Sequence, residues 1–240
     1  MDALPIDEVL PQLLDALRAQ GRAVLQAPPG AGKTTKVPLA ILQANLAPGR
    51  IVMLEPRRLA TRAAAERMAA MLGEPVGGTV GYRIRGDAKV GRSTRIEVVT
   101  EGILTRMLQV APDLPGVSAV IFDEFHERSL NADLGLALTW EARGALRPDL
   151  MVLVMSATLD AHPVATLLED APLISSEGRA FPVETRWRDT PPPPGARLEP
   201  EVADLILRAV AETEGGILAF LPGEGEIRRV ARELEGRLPG

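Results

Sequence analysis

The stretch Ala27-Pro-Pro-Gly-Ala-Gly-Lys-Thr34 has the residue types and spacing of an anion cradle. Small residues let the backbone curl until successive N–H groups point inward. Where such a curl opens a helix, those groups meet the helix's positive end. In this pattern Pro29, Gly30, Ala31 and Gly32 line the cradle for a nucleoside triphosphate. Lys33 reaches the β- and γ-phosphates, and the Thr34 hydroxyl, with Thr35 beside it, lies where Mg²⁺ is held. The usual pattern begins with Gly and this one begins with Ala27, but Gly30, Gly32, Lys33 and Thr34 are intact. A second chemical group is Val120-Ile-Phe-Asp-Glu124, two carboxylates closing an apolar run. Asp123 is assigned to the Mg²⁺ shell. Glu124 is assigned to orienting and deprotonating an attacking water, meeting the metal only through water. An Asp-Glu pair alone is common where strands become loops; it is the cradle upstream that gives this pair its meaning. His126 follows closely and is one of two histidines. Zinc is not expected without cysteine or a second histidine nearby, and His162 reads as a helix start.

The elements that must position these groups are short β-rich runs separated by polar breaks and helical stretches. Expected strands are Ala23–Gln26, Ile51–Glu55, Thr79–Ile84, Ile96–Thr100, Ala119–Phe122, Met151–Met155 and Pro172–Ile174. Several are continuously apolar, as strands buried on both faces are. Helical patterns lie between them at Ala60–Leu72, Gly102–Gln109 and Ala132–Ala142. An earlier one, Pro11–Gln20, has Pro at its first turn and Gly21 as its stop. Strand–helix alternation implies an α/β fold with right-handed crossovers and a largely parallel sheet flanked by helices. Ligands bind beyond the carboxyl ends of such strands. One rim should therefore carry Ala27–Thr34, Pro56–Arg58, Thr100–Gly102, Asp123–His126 and Ser156–Thr158. A second unit is expected from about Phe181, with strands at Phe181–Trp187 and Ile217–Leu221 and helices at Glu199–Ala211 and Gly225–Leu238. Two strands and two helices are too few for an independent sheet domain.

Composition sets bounds on this reading. The 240 residues are 46% hydrophobic and 25% charged, the balance of a packed globular chain rather than a disordered one. With no cysteine, a disulfide partner, a thiolate metal site and a thiol nucleophile are all excluded. No apolar run approaches the roughly 20 residues of a membrane span, and the N-terminus carries Asp2, Asp7 and Glu8 rather than the positive charge of a signal peptide. A soluble, cytoplasmic protein with no membrane partner is the expectation. A net charge of −5 argues against a general nucleic-acid coat but leaves room for a local basic groove. Arginine outnumbers lysine 24 to 3, which a GC-rich genome explains as well as RNA binding does.

Taken with Asp123-Glu-Phe-His126, the chain closely resembles the DEAH-type superfamily 2 helicases, and within them the bacterial HrpB-like branch. The residues that carry the resemblance run in order along nearly the whole chain. They are Ala27–Thr34, Leu54-Glu-Pro-Arg-Arg58, Thr100-Glu-Gly102, Asp123–Leu130 and Ser156-Ala-Thr158, then Ile217-Leu-Ala-Phe-Leu-Pro-Gly223. Phe125 replaces the Ala of the family name, as it does in the HrpB-like branch. Gly86, after Gly81-Tyr-Arg-Ile-Arg85, stands where many relatives have an aromatic.

The resemblance implies a RecA-like P-loop domain over residues 1–180 and the beginning of a second RecA-like domain over 181–240. It implies an ATP-dependent RNA helicase that uses ATP and Mg²⁺ and translocates 3′ to 5′ on single-stranded RNA, with other nucleotides and DNA left open. Arg57, Arg58, Arg85, Thr100, Glu101 and Gly102 would meet the sugar–phosphate backbone, and Arg67 would stack on the nucleotide base. Ser156, Ala157 and Thr158, with His126, would couple the γ-phosphate to interdomain movement. The chain ends before the family's arginine fingers, so slow hydrolysis and no unwinding are expected of it alone. A P-loop ATPase of another class would have no use for the Arg57-Arg58 and Thr100–Gly102 groups. A non-catalytic nucleotide-gated binding module would bind its partner without turnover.

Overall fold

The structure, a computed structural model, describes residues 4–157, 161–178, 182–188, 190–193 and 195–238. The chain divides into two compact units, residues 1–181 and 182–240. The first is built on eight strands: β1 (Arg22–Gln26), β2 (Arg50–Glu55), β3 (Val80–Ile84), β4 (Asp87–Lys89), β5 (Ile96–Thr100), β6 (Val117–Phe122), β7 (Met151–Ser156) and β8 (Leu173–Ser175). They form one sheet in the order β4-β3-β5-β2-β6-β7-β1-β8. All neighbours are parallel except β3 and β4, which form an antiparallel hairpin. All seven strands expected in this first unit are present, their ends displaced by two residues at most.

The apolar runs are continuous because β1, β2, β5, β6 and β7 each have a core on both faces. On β2, Ile51 and Met53 join one core, which also takes in α1 (Ile6–Gln20), α2 (Lys33–Gln43) and α3 (Arg58–Met71). Val52 and Leu54 point the other way, toward α4 (Glu101–Val110), α5 (Leu130–Ala145) and α6 (His162–Leu167). Each buried Val, Ile or Leu stabilises the fold by roughly 1.5–3 kcal/mol, and the two layers together hold the central strands level. Strand pairing sets the functional rim. Gln26 lies beside Ser156, Leu54 beside Phe122 and Glu55 beside Thr100. Parallel neighbours in that register deliver the described residues of all five expected segments to one edge of the sheet.

Two expectations for the first unit need correction. α1 starts at Ile6, not at Pro11, and Pro11 lies inside it. The extra turn is held by tertiary contacts: Ile6 is fully buried, its N–H donates to Ala31 O at 3.2 Å, and Asp7 pairs with Lys36 at 2.5 Å. These outweigh the one helical hydrogen bond that Pro11 removes. The hairpin strand β4 was not expected, because Asp87-Ala-Lys89 carries no apolar alternation.

The second unit packs α7 (Leu198–Glu212) against α8 (Glu224–Leu234) through Ala203 and Val230, with Arg229 bonded to Glu199 and Glu226. The strands expected at Phe181–Trp187 and Ile217–Leu221 are not found among its described residues, which carry no regular secondary structure there. Trp187 is 85% and Phe220 87% exposed. An apolar run becomes a strand only when a neighbour takes its hydrogen bonds, and no strand of this unit does so. Phe181 itself lies outside the described residues. No described helix is long and apolar enough to cross a membrane.

Candidate active site

The cradle leaves β1 with Ala27 N–H donating to Ser156 O at 2.9 Å, which fastens it to the end of β7. Gly30 and Gly32 take positive φ of 78° and 95°. At Gly32 the need for glycine is twofold, because an added Cβ would lie 2.6 Å from Leu4 Cδ1 and 3.3 Å from Ile6 Cγ2. The first turn of α1 thus braces the loop from behind. α2 begins at Lys33 with no side-chain cap. Its first N–H groups therefore have no partner within the helix and face the mouth of the loop, as an anion site requires.

Lys33 and Thr34 reach the acids at the end of β6. Lys33 Nζ donates to Glu124 Oε1 at 2.8 Å, and Thr34 Oγ1 donates to Asp123 Oδ2 at 2.5 Å. The Glu124 N–H donates to Asp123 Oδ1 at 2.8 Å. Glu124 is a non-glycine residue at φ 50°, ψ 34°, a left-handed conformation that persists only where the surroundings enforce it. His126 Nδ1 accepts the Ala157 N–H at 3.2 Å, so the ring proton sits on Nε2, which faces Glu124 Oε2 at 3.4 Å. A continuous polar chain therefore runs Lys33, Glu124, His126, Ala157. Ser156 is buried at the end of β7, and Thr158 lies outside the described residues.

Beside the acids is a residue that lies within a matched motif, Leu54-Glu-Pro-Arg-Arg58, where the resemblance gives it no role. Glu55 ends β2 only 3% exposed. Burial first, then the Asp123 charge and a hydrogen bond with Asp123, push its carboxyl up to about 9, against a smaller opposing pull from Lys33. Burial beside Asp123 thus favours the protonated form of Glu55. Asp123 is itself raised, chiefly by burial, while the Thr34 hydroxyl favours its charged form. The available signal was a carboxylate closing a wholly apolar strand.

Of the other expected residues, all but Arg67 lie where strands end, on the same rim. Arg57 and Arg58 are exposed at the start of α3. Arg57 Nη2 lies 3.0 Å from Glu127 Oε1, and Arg58 Nη2 donates to Arg85 O at 3.1 Å. The turn carrying Arg85 is buttressed by Tyr82, whose hydroxyl donates to Asp87 at 2.8 Å, and by Arg62, which donates to Asp87 at 2.5 Å. Thr100 ends β5, and Gly102 is exposed on the first turn of α4. Glu101 between them is already engaged, accepting from Ser129 Oγ at 2.6 Å. Arg67 is exposed on the third turn of α3, with no ion-pair partner among the described residues. Phe125 is buried edge-on to Phe122, centroids 6.1 Å apart, so the family's variable letter here is a core residue.

A parallel sheet flanked by helices, with an Ala-Pro-Pro-Gly-Ala-Gly-Lys-Thr cradle facing Asp-Glu-Phe-His, defines a P-loop nucleotide site of the helicase class. A DEAD/DEAH box helicase family model matches residues 7–167, and the chain belongs to that family. It is 50% identical over 238 residues to the ATP-dependent RNA helicase HrpB of Escherichia coli K12, covering 99% of this chain and 29% of that protein. It is 34% identical to ATP-dependent RNA helicase HrpA of the same organism, covering 97% of this chain and 18% of that one. The crystal structure of Escherichia coli DEAH/RHA helicase HrpB superposes with a TM-score of 0.90 over 99% of this chain and 30% of that one. The chain thus spans less than a third of the length of these relatives.

Proposed function

We propose that the chain is the ATP-binding part of a helicase that uses hydrolysis to drive 3′ to 5′ movement along single-stranded RNA, and that it binds ATP and Mg²⁺ on the strand-end rim while turning over slowly by itself. Residues 1–180 serve as the first RecA-like domain and residues 181–240 begin the second. The observation that carries this reading is the polar chain from Lys33 through Glu124 and His126 to Ala157, on the same rim as Arg57, Arg58 and Arg85.

The oxygen set suits Mg²⁺, a hard cation that takes one or two protein oxygens and completes its shell with phosphate and water. Thr34 Oγ1 and Asp123 Oδ2, within 2.5 Å of each other, would hold it, with Glu124 acting through water. When bound, the metal neutralises charge on the β- and γ-phosphate oxygens. Lys33, released from Glu124, moves to the phosphates and leaves one carboxylate oxygen free to accept a proton. Glu124 then takes the proton of a water whose oxygen attacks the γ-phosphorus while the bond to the β-phosphate oxygen breaks. His126 Nε2 faces the other oxygen of Glu124 at 3.4 Å, and the Ala157 N–H holds the imidazole. A change at the γ-phosphate is thereby felt at the end of β7. Arg67 stacks on the nucleotide base, and Ser156 and Thr158 carry the coupling onward. Arg57, Arg58, Arg85, Thr100 and Gly102 grip the RNA backbone rather than bases, so binding tolerates sequence and weakens with salt.

ATP turnover with and without single-stranded RNA, on this chain and on one extended through a complete second domain, is the test, with the variants made in the longer chain. Lys33→Ala should lose nucleotide affinity. Glu124→Gln should keep it and lose hydrolysis by at least about a hundredfold, the lower range for a positioned acid–base group. Normal turnover in Glu124→Gln, or turnover and nucleotide affinity both indifferent to RNA, would overturn the reading.

A further inference from the structure

The segment leaving Asp123 and Glu124 is tied at two points to the loops assigned to RNA. Glu127 meets Arg57 at 3.0 Å, and Ser129, which caps α5, donates to Glu101 at 2.6 Å. Leading into these ties the backbone makes one tight turn, Phe125–Glu127, whose flanking residues Glu124 and Arg128 both have positive φ of 50° and 44°. Neither flanking residue is glycine, so contacts around the turn must hold it in place. The Arg57–Glu127 pair is one such contact. It lies at the surface, with side chains 74% and 33% exposed, where an ion pair is weak and easily exchanged.

A guanidinium accepts a carboxylate or a phosphate in the same planar geometry. We propose that Glu127 occupies Arg57 as an internal substitute for an RNA phosphate, so that the arriving strand must displace it. Displacement frees the turn one residue beyond His126 and three beyond Glu124. The nucleotide site thereby registers that the RNA groove is filled. Glu127 is a positioning residue: it acts through Arg57 and the turn, not on the reacting atoms. The proposal rests on the RNA-binding reading above.

Anisotropy of a short labelled oligouridylate with the 240-residue chain tests this, using the wild type, Glu127→Gln, Arg57→Ala, the double variant and an Arg57→Ala/Arg58→Ala control. Glu127→Gln should tighten RNA binding by about two- to fivefold, the range of an exposed ion pair. It should also steepen the dependence of log K on log salt, because no displaced Glu127 carboxylate then takes up a cation as the strand releases its own. Neither change should appear in the Arg57→Ala background. Unchanged or weaker binding by Glu127→Gln, or equal tightening with Arg57 absent, overturns the proposal. The RNA reading itself fails, and this proposal with it, if the wild type does not bind or if removing Arg57 and Arg58 together leaves affinity unchanged. If that control weakens binding while Glu127→Gln has no effect, only the present proposal fails. Matching thermal melts for all variants establish that each is folded.

Discussion

Gly32 and Glu55 show how single residues hold the site in its working form. A side chain at Gly32 would need φ near 95° and would strike Leu4 and Ile6. Gly32→Ala should therefore cost at least about 1 kcal/mol of stability and weaken nucleotide binding together, since strain and clash act on the same loop. Isothermal titration and a thermal melt on one sample check this. Glu55 carries a different signature. Its carboxyl moves from 4.5 to about 9 on folding, so between those values the folded chain keeps a proton that the unfolded chain releases. Stability from this group is fully present below pH 4.5, declines as pH rises, and is gone above about pH 9. Asp123, Glu124 and Lys33 are the charges that face it. With divalent cations chelated, Glu55→Gln should flatten the dependence of Tm on pH across that window and raise Tm at pH 8. Equal Tm values for both proteins at pH 8 would rule out a neutral buried Glu55.

Among the elements, the turn after β6 is where packing and chemistry meet. Phe125 lies in the core beside Phe122, two residues from Asp123 and one from His126. Phe125→Ala restores the letter of the family name, yet here it empties a built core position. The expected loss is about 3 kcal/mol, or about 6–12 °C in Tm for a chain of this size. Differential scanning calorimetry decides it: a Tm within 2 °C of wild type, that is less than about 1 kcal/mol, would mean that neighbours refill the space. The parallel strands were legible because each is apolar throughout, and the helices because their apolar residues recur at helical spacing. The first turn of α1 was not legible, since its reason to exist is the back of the phosphate loop, brought close only by the fold. Nor was β4, which is held by pairing with β3 and by Asp87 bonded to Tyr82 and Arg62.

For the molecule as a whole, the first unit has its own sheet with a core on each face, and its chemistry is concentrated on one edge. Ligand binding should therefore register as stability of that unit. A non-hydrolysable ATP analogue with Mg²⁺ at one hundred times its Kd adds about 2.7 kcal/mol, which corresponds to a rise of about 5–11 °C in Tm. Lys33→Ala should abolish the rise, and chelating Mg²⁺ should shrink it; a shift that survives Lys33→Ala would place the nucleotide elsewhere. The second unit behaves differently. Ile217–Leu221 has the composition of a buried strand, yet the described chain offers it no strand partner, and it lies exposed.

Local chemistry was readable from residue order alone, because backbone curl, helix capping and strand burial depend on near neighbours. Lys33, Thr34, Asp123 and Glu124 could be named on that basis, and so could the parallel sheet that gathers them. Long-range pairing could not be read that way. Arg57 with Glu127, Glu101 with Ser129, His126 with Ala157 and Glu55 with Asp123 all join residues from different strand ends. Their energies depend on distance and local dielectric, and neither exists until the strands lie side by side.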